Sequence, residues 1–347
     1  MSGAAGSGTW PFRRPPLLVS LNGSRGAADG PAVPLSPGDL VQAALEAVAA
    51  GAGEVLVHPR TPCGRESLSP RVVGPVLEAL RGAVAGVGGG TMAGGRAEEP
   101  AGARSLAGGG VREPAGAGAE VGAGVGIGAR TWAGAGTGSG VGSGVGVGSG
   151  VGVGVGVGVG VGVGGGVGGR ACAGVGGGSG VCVQLSVLAS VPAEPDPAGR
   201  VARVRSWTVL PDRAVVRFAE PGARELAEAL LERGVAVDAE VPVGGSTEPL
   251  ARFLAWPVRD PARVRILAEL ASADPGSTVE LLRRLPPVPV LLFGRDAAAW
   301  PVLRLAARCG TGARIGVGDV LHLPDGRSAR SNAELVAAAV AVREAGA

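Results

Sequence analysis

In the stretch EVLVHPRTPCGRESL, Glu54 to Leu68, an apolar run ends in His58, Pro59 and Arg60, and a glycine turn and a helix start follow. A strand that stops this way delivers polar side chains to a site at its C-terminal end. The chain has 2 histidines, His58 and His322. His58 is the candidate metal ligand, but catalytic zinc normally takes three protein ligands, often two histidines and a carboxylate. The residue two positions earlier is Leu56, so no His-x-His pair exists there. Cys63, in the following turn, is a conceivable substitute ligand. The other reading of His58 is an imidazole paired to a carboxylate such as Glu240 or Asp319. His322, in LHLPDG, reads as a loop residue.

Further polar groups stand where other apolar runs end. In chain order they are Asn22 and Arg25, Ser190 after Leu188 and Ala189, Arg217 and Glu220, Asp238 and Glu240, Glu269, Arg295 and Asp296, and Asp319. Carboxylates mixed with guanidiniums suit the binding of an anionic substrate. Asn22, Arg60, Glu220 and Glu240 are the candidate substrate-binding residues. Arg60 can equally brace its own loop, and Glu220 and Glu240 can fill polar sockets near the mouth of a barrel.

The elements that must carry these residues alternate along the chain. PLLVSL (16–21) reads as a strand, followed by a helix with Ser36 as N-cap, Pro37 at the first helical position and Gly51 as the stop. EVLVH is the second strand and 70–85 the second helix; 183–189 and 196–207 are the third pair. Strands at 214–218, 235–241, 264–270, 288–293 and 313–317 each precede a helical pattern, at 222–234, 247–256, 277–285, 296–310 and 331–346. Eight strand–helix units over roughly 250 residues predict an α/β fold of the (β/α)8 (TIM) barrel type, with active-site loops after the strands. A doubly wound open sheet is the alternative.

Between the second helix and the third strand lies a Gly/Val-rich tract, and most of the 66 glycines fall in it. Glycine raises the ordering cost and offers no packing surface, so a disordered low-complexity insertion is predicted rather than a strand or a membrane span. The expected organisation is residues 1–85 as the first part of the barrel, 86–180 as the insertion and 181–347 as the remainder. The insertion leaves the barrel on the face opposite the catalytic loops.

Composition excludes some classes. The net charge is +3 and carried by arginine alone, without a basic block, so nucleic acid is not implied. Aromatics are 3%, with no tyrosine, which argues against base-stacking platforms. The 4 cysteines show no CxxC spacing, and the N-terminus lacks the pattern of a secretory signal, so free thiols and a cytoplasmic location are expected. Apolar residues in the 298–307 helix beyond a core stripe suggest a homo-oligomer.

The segment SLNGSRGAADGPAVPLSPGDLVQAALEAVAAGAGEVLVHPRTPCGRESL resembles the opening of the 3-keto-5-aminohexanoate cleavage enzymes, also called β-keto acid cleavage enzymes. VRSWTVLPD, AEPGARELAEALLERGVAVDAEV, AAAWPVLRLAARCGTGARIGVGD and LPDGRSARSNAELV continue the similarity in the same order. The resemblance covers the chain outside the insertion. It implies a TIM barrel with a zinc ion that condenses a β-keto acid with acetyl-CoA and cleaves a carbon–carbon bond, giving acetoacetate and an acyl-CoA. The implied zinc ligands are an His-x-His pair after the second strand and a glutamate in Arg-x-Gly-x-Glu-Asp after the eighth. The first histidine falls on Leu56, the second is His58, and the glutamate falls on Gly318, with Arg314 and Asp319 retained. The resemblance gives Arg314 and Asp319 catalytic roles, in substrate carboxylate binding and acid–base work; the alternative is an ion pair that fixes the last loop. A Ser/Thr-Thr-Gly motif falls on Leu188, Ala189 and Ser190, an acidic residue near Arg25, and an asparagine on Arg217. Two of three ligands are replaced, so impaired activity, or a non-catalytic barrel with a ligand-binding or interaction role, is expected.

Overall fold

The computed structural model describes residues 15–87, 183–257, 260 and 262–346. The Gly/Val-rich tract, and with it the expectation of disorder there, lies outside the described residues. Eight parallel strands alternate with helices: β1 (Leu17–Ser20), α1 (Pro37–Ala49), β2 (Glu54–Val57), α2 (Pro70–Val87), β3 (Gln184–Ala189), α3 (Pro197–Arg205), β4 (Arg213–Arg217) and α4 (Ala223–Glu232). Then come β5 (Ala236–Val243), α5 (Glu248–Ala255), β6 (Val264–Leu270), α6 (Pro275–Arg284), β7 (Val290–Phe293), α7 (Ala299–Cys309), β8 (Gly312–Ile315) and α8 (Asn332–Ala345). Each strand pairs with its sequence neighbours and β1 pairs with β8, so the sheet closes. Closure rules out the doubly wound alternative.

Local chemistry sets the helix starts. At α1 the Ser36 hydroxyl accepts from the Asp39 N–H while the Asp39 carboxylate accepts from the Ser36 N–H, a reciprocal cap ahead of Pro37. Asp196 and Asp274 cap α3 and α6 from just outside the helix. The sequence had placed Asp196 and Trp207 inside a helix. Trp207 instead lies past the end of α3, buried, with its indole N–H donating to the Leu68 carbonyl 2.9 Å away.

Strand side chains alternate between two apolar environments. Outward-facing Val19, Val55, Val57, Val187, Val216, Val237 and Ile266 pack with the helices in the main core. Inward-facing Leu18, Leu56, Leu188, Val215, Leu267, Leu291 and Phe293 form a separate plug inside the barrel. Six apolar residues of α7 (Ala299, Trp300, Val302, Leu303, Leu305 and Ala306) are buried. These belong to the core, and of the 298–307 stretch Pro301 is exposed and Ala298 and Ala307 are half-buried.

Polar layers bound the plug above and below. Below it, Arg265 donates to both oxygens of Asp238 at 2.7 and 2.8 Å and reaches Glu54 at 2.6 Å, while Arg213 Nε donates to Asp238 at 2.5 Å. Asp238 is therefore a residue of the N-terminal end, not of the catalytic mouth. It sits two residues before Glu240 on one strand face, and a β residue pair of that spacing spans the plug's depth. Burial and the neighbouring Arg265 push the Arg213 pKa down, whereas Asp238 is held below its ordinary value by both guanidiniums against the cost of burial.

Candidate functional site

The mouth is built from the β2 end upward. Asn22, just past β1, is fully buried, and its amide grips the His58 backbone: Nδ2 donates to the His58 carbonyl and Oδ1 accepts the His58 N–H, both at 3.0 Å. Asn22 thus positions His58, with both amide atoms engaged and the side chain fully buried. The imidazole is 4% exposed and its Nδ1 lies 3.3 Å from Oε1 of Glu66. Glu66 replaces Glu240 and Asp319 as the expected carboxylate partner. The reason is a tight excursion after β2 in which Arg60 and Glu66 form an antiparallel bridge and Thr61 N–H donates to the Arg65 carbonyl. This folds residue 66 back beside residue 58. A Gly at position 64, two residues before a lone acid, was the signal available in the sequence. Burial lowers the His58 pKa; Glu66 opposes that, and the charges of Arg217 and Arg314 add to it.

Arg60 spends its terminal nitrogens on the Gly64 and Gly23 carbonyls at 2.9 and 2.8 Å. It ties the β2 loop to the β1 loop. Cys63 is exposed in that turn, with its sulfur 3.0 Å from the Thr61 hydroxyl. His322 is an exposed loop residue whose carbonyl accepts from the Trp300 indole N–H at 2.8 Å.

Across the mouth, Glu240 is the hub. It accepts from Arg217 Nε at 2.9 Å and from Arg314 NH1 at 2.8 Å, and Arg295 approaches to 3.7 Å. Burial alone would raise its pKa, but Arg314, Arg217 and Arg295 outweigh that and hold it at about 2. Arg314 also makes a fork-on-fork pair with Asp319, at 2.7 and 3.1 Å, and lies flat over the Phe293 ring with its guanidinium carbon 3.5 Å from the centroid. Both members of that pair are buried, and each of the three Arg314 nitrogens donates to a carboxylate. Arg295 Nε donates to Glu269 at 2.7 Å. Glu220 accepts from the Val191 N–H at 2.9 Å, and burial raises its pKa. Arg25 reaches Asp296 at 2.6 Å, which links the β1 and β7 loops. The Ser190 hydroxyl is buried with no partner among the described residues.

A cavity of about 300 Å³ opens between these strands, lined by Arg217, Ala219, Glu240, Pro242, Glu269 and Arg295. Glu269, Arg295 and Arg217 were seen as strand-end residues from the sequence, but their convergence on one cavity depends on the barrel's register. Glu240 pairs with Arg217 across β4–β5, and Glu269 with Phe293 across β6–β7.

The residues do not fit a zinc ion. Leu56 belongs to the apolar plug. At Gly318 a Cβ would stand 2.3 Å from the Ser20 hydroxyl, 2.8 Å from the Gly23 nitrogen and 2.9 Å from the Gly23 Cα. Gly23, at φ +56°, packs reciprocally on Gly318, and the Gly318 N–H donates to the Ser20 carbonyl. The loops after β1 and β8 therefore cross backbone to backbone where a carboxylate ligand would need space. Among the described residues no group of three His, Cys, Asp or Glu side chains is arranged to hold a metal.

A closed (β/α)8 barrel with one buried charged layer below an apolar plug and another at its C-terminal mouth defines the class: a TIM barrel with a small polar site above the plug. The chain belongs to the beta-keto acid cleavage enzyme family, whose model matches residues 17–107 and 177–346. No curated protein sequence matches it. Among solved structures, a type I 3-dehydroquinate dehydratase from Clostridium difficile, carrying covalently modified comenic acid, is similar at a TM-score of 0.45 and 11% identity, covering 96% of this chain and 94% of that one. No helix among the described residues is long and apolar enough to cross a membrane.

Proposed function

We propose that this protein is a member of the β-keto acid cleavage family whose zinc-dependent condensation and cleavage chemistry is impaired, and whose mouth retains the binding of a small anionic ligand. The observation that carries this is the Gly23–Gly318 crossing. It fills the space that the third ligand would occupy with main chain, and a side chain cannot be regained there without moving a loop. His58 remains, but one imidazole, already facing Glu66, is too weak a donor set to retain zinc against competing ligands.

Arg314 and Asp319, the residues the family resemblance makes catalytic, support a brace here. Asp319 is fully buried and takes two hydrogen bonds from Arg314, so it has no exposed lone pair directed at a substrate proton. A base must reach the proton it removes. Substrate binding falls instead to Arg217 and Arg295, which line the open cavity, with Glu240 fixing Arg217 through its Nε and Glu269 fixing Arg295 likewise. Asn22 and Arg60 position the β2 loop. The exposed thiol of Cys63 fits a reducing, cytoplasmic setting.

The test is metal analysis of the purified full-length chain, with an assay of β-keto acids plus acetyl-CoA for acetoacetate. Protein free of zinc and inert with or without added zinc supports the proposal. Stoichiometric zinc that disappears in His58→Ala, together with turnover, overturns it.

A further inference from the structure

We propose that Arg217 supplies the fixed positive charge of the mouth, so that Arg217 and Arg295 together form a metal-independent site for a small carboxylate or comparable oxyanion. This rests on the reading above that zinc is not held.

Arg217 stands between two carboxylates, Glu240 and Glu220. Its Nε donates to Glu240 at 2.9 Å and its NH1 lies 3.8 Å from Glu220. These carboxylates come from β5 and from the loop after β4, and among the described residues no three His, Cys, Asp or Glu side chains are arranged to hold a metal there. A guanidinium held there occupies the charge position permanently.

Arg217 also has donors to spare. Its one hydrogen bond within 3.5 Å among the described residues is the side-on contact from Nε. Arg295 is held in the same way, by Nε to Glu269 at 2.7 Å, with NH2 3.7 Å from Glu240. In each case a carboxylate fixes the plane from the side while the NH1 and NH2 groups are left without a close protein acceptor. Both side chains line the cavity of about 300 Å³, room for a ligand of a few heavy atoms. Arg314 differs: its three nitrogens are all donated to Glu240 and Asp319.

Charge balance limits the ligand. Arg217, Arg295 and Arg314 face Glu240, Glu269, Asp319 and Glu220, so the mouth carries no excess of positive charge, and recognition comes from directed hydrogen bonds more than from net field. Affinity of about 1 mM is the expected scale for one small carboxylate. A planar carboxylate matches the forked donors of two guanidiniums better than a point charge would match them.

The probes are malonate and inorganic phosphate, titrated calorimetrically into the full-length chain after treatment with EDTA. Saturable malonate binding, unchanged within twofold by added zinc, is expected. Arg217→Gln should weaken it at least tenfold, while Arg224→Gln, on the outer surface of α4, should leave it unchanged. Arg295→Gln, nearer solvent, gives the same readout if Arg217→Gln does not fold, and it too should weaken binding at least tenfold. Zinc-free wild-type protein that takes up neither malonate nor phosphate overturns this inference and the anion-binding part of the proposed function, and leaves its other part, the impaired zinc chemistry, standing. Malonate binding that survives both substitutions also overturns this inference. Stoichiometric zinc in the untreated protein, or binding that appears only once zinc is added, sinks both.

Discussion

Glu240→Gln is the sharpest probe of the electrostatics at the mouth. The substitution keeps the shape of a side chain that is 3% exposed and removes the single negative charge shared by Arg217 and Arg314. Asp319 continues to neutralise Arg314, but Arg217 is left with Glu220 at 3.8 Å as its nearest carboxylate. The Glu240 carboxyl is held at about 2 against an ordinary 4.5. Each unit corresponds to about 1.4 kcal/mol, so charge pairing at this residue contributes roughly 3 kcal/mol near neutral pH. Because the folded value is depressed, that contribution is complete above the unfolded value and fades as pH falls through the interval from 4.5 to about 2. Urea unfolding followed by tryptophan fluorescence should therefore show Glu240→Gln less stable than wild type by about 3 kcal/mol at pH 7. At about pH 3 the difference should shrink to less than half of that. A difference below about 1 kcal/mol at pH 7, or one that stays constant as pH falls, would refute the charge-hub account.

Three further outcomes are expected. Asn22→Ala leaves the buried N–H and carbonyl of His58 without their side-chain partner and should cost about 2–4 kcal/mol in the same unfolding assay, with a loss under about 1 kcal/mol counting against a positioning role. Cys63, exposed and lowered to about 7 by hydrogen bonds from Thr61 and Arg65, should be alkylated by iodoacetamide at pH 7 well before Cys309, whose pKa is raised by burial; peptide mapping reads the order, and equal rates would contradict it. Replacing residues 89–181 by a short flexible linker should leave thermal unfolding of the barrel within a few degrees of the full chain, since β2 and β3 pair directly through residues 54–57 and 184–187. A large drop in melting temperature would show that the tract contributes to the core.

The sequence by itself determined the alternation of elements. Eight apolar runs of strand length, each followed by a helical pattern, fit a closed ring or an open doubly wound sheet, and the β1–β8 pairing decides for the ring; Ser36 with Pro37 marks a helix start from local sequence alone. It also determined that two of the three zinc positions inferred from family resemblance carry Leu56 and Gly318, because residue identity needs no coordinates. Tertiary structure decided the rest, since partner choice depends on register and loop path. Asp238 and Glu240 lie two residues apart and look equivalent in sequence; the strand rise puts the apolar plug between them and sends them to opposite ends. Glu66 reaches His58 only because the turn after β2 doubles back, and Gly318 excludes a side chain only because the β1 loop crosses it. The first contact joins residues 8 positions apart through an irregular turn and the second joins loops at opposite ends of the chain, and the periodicity of a sequence holds no information about either.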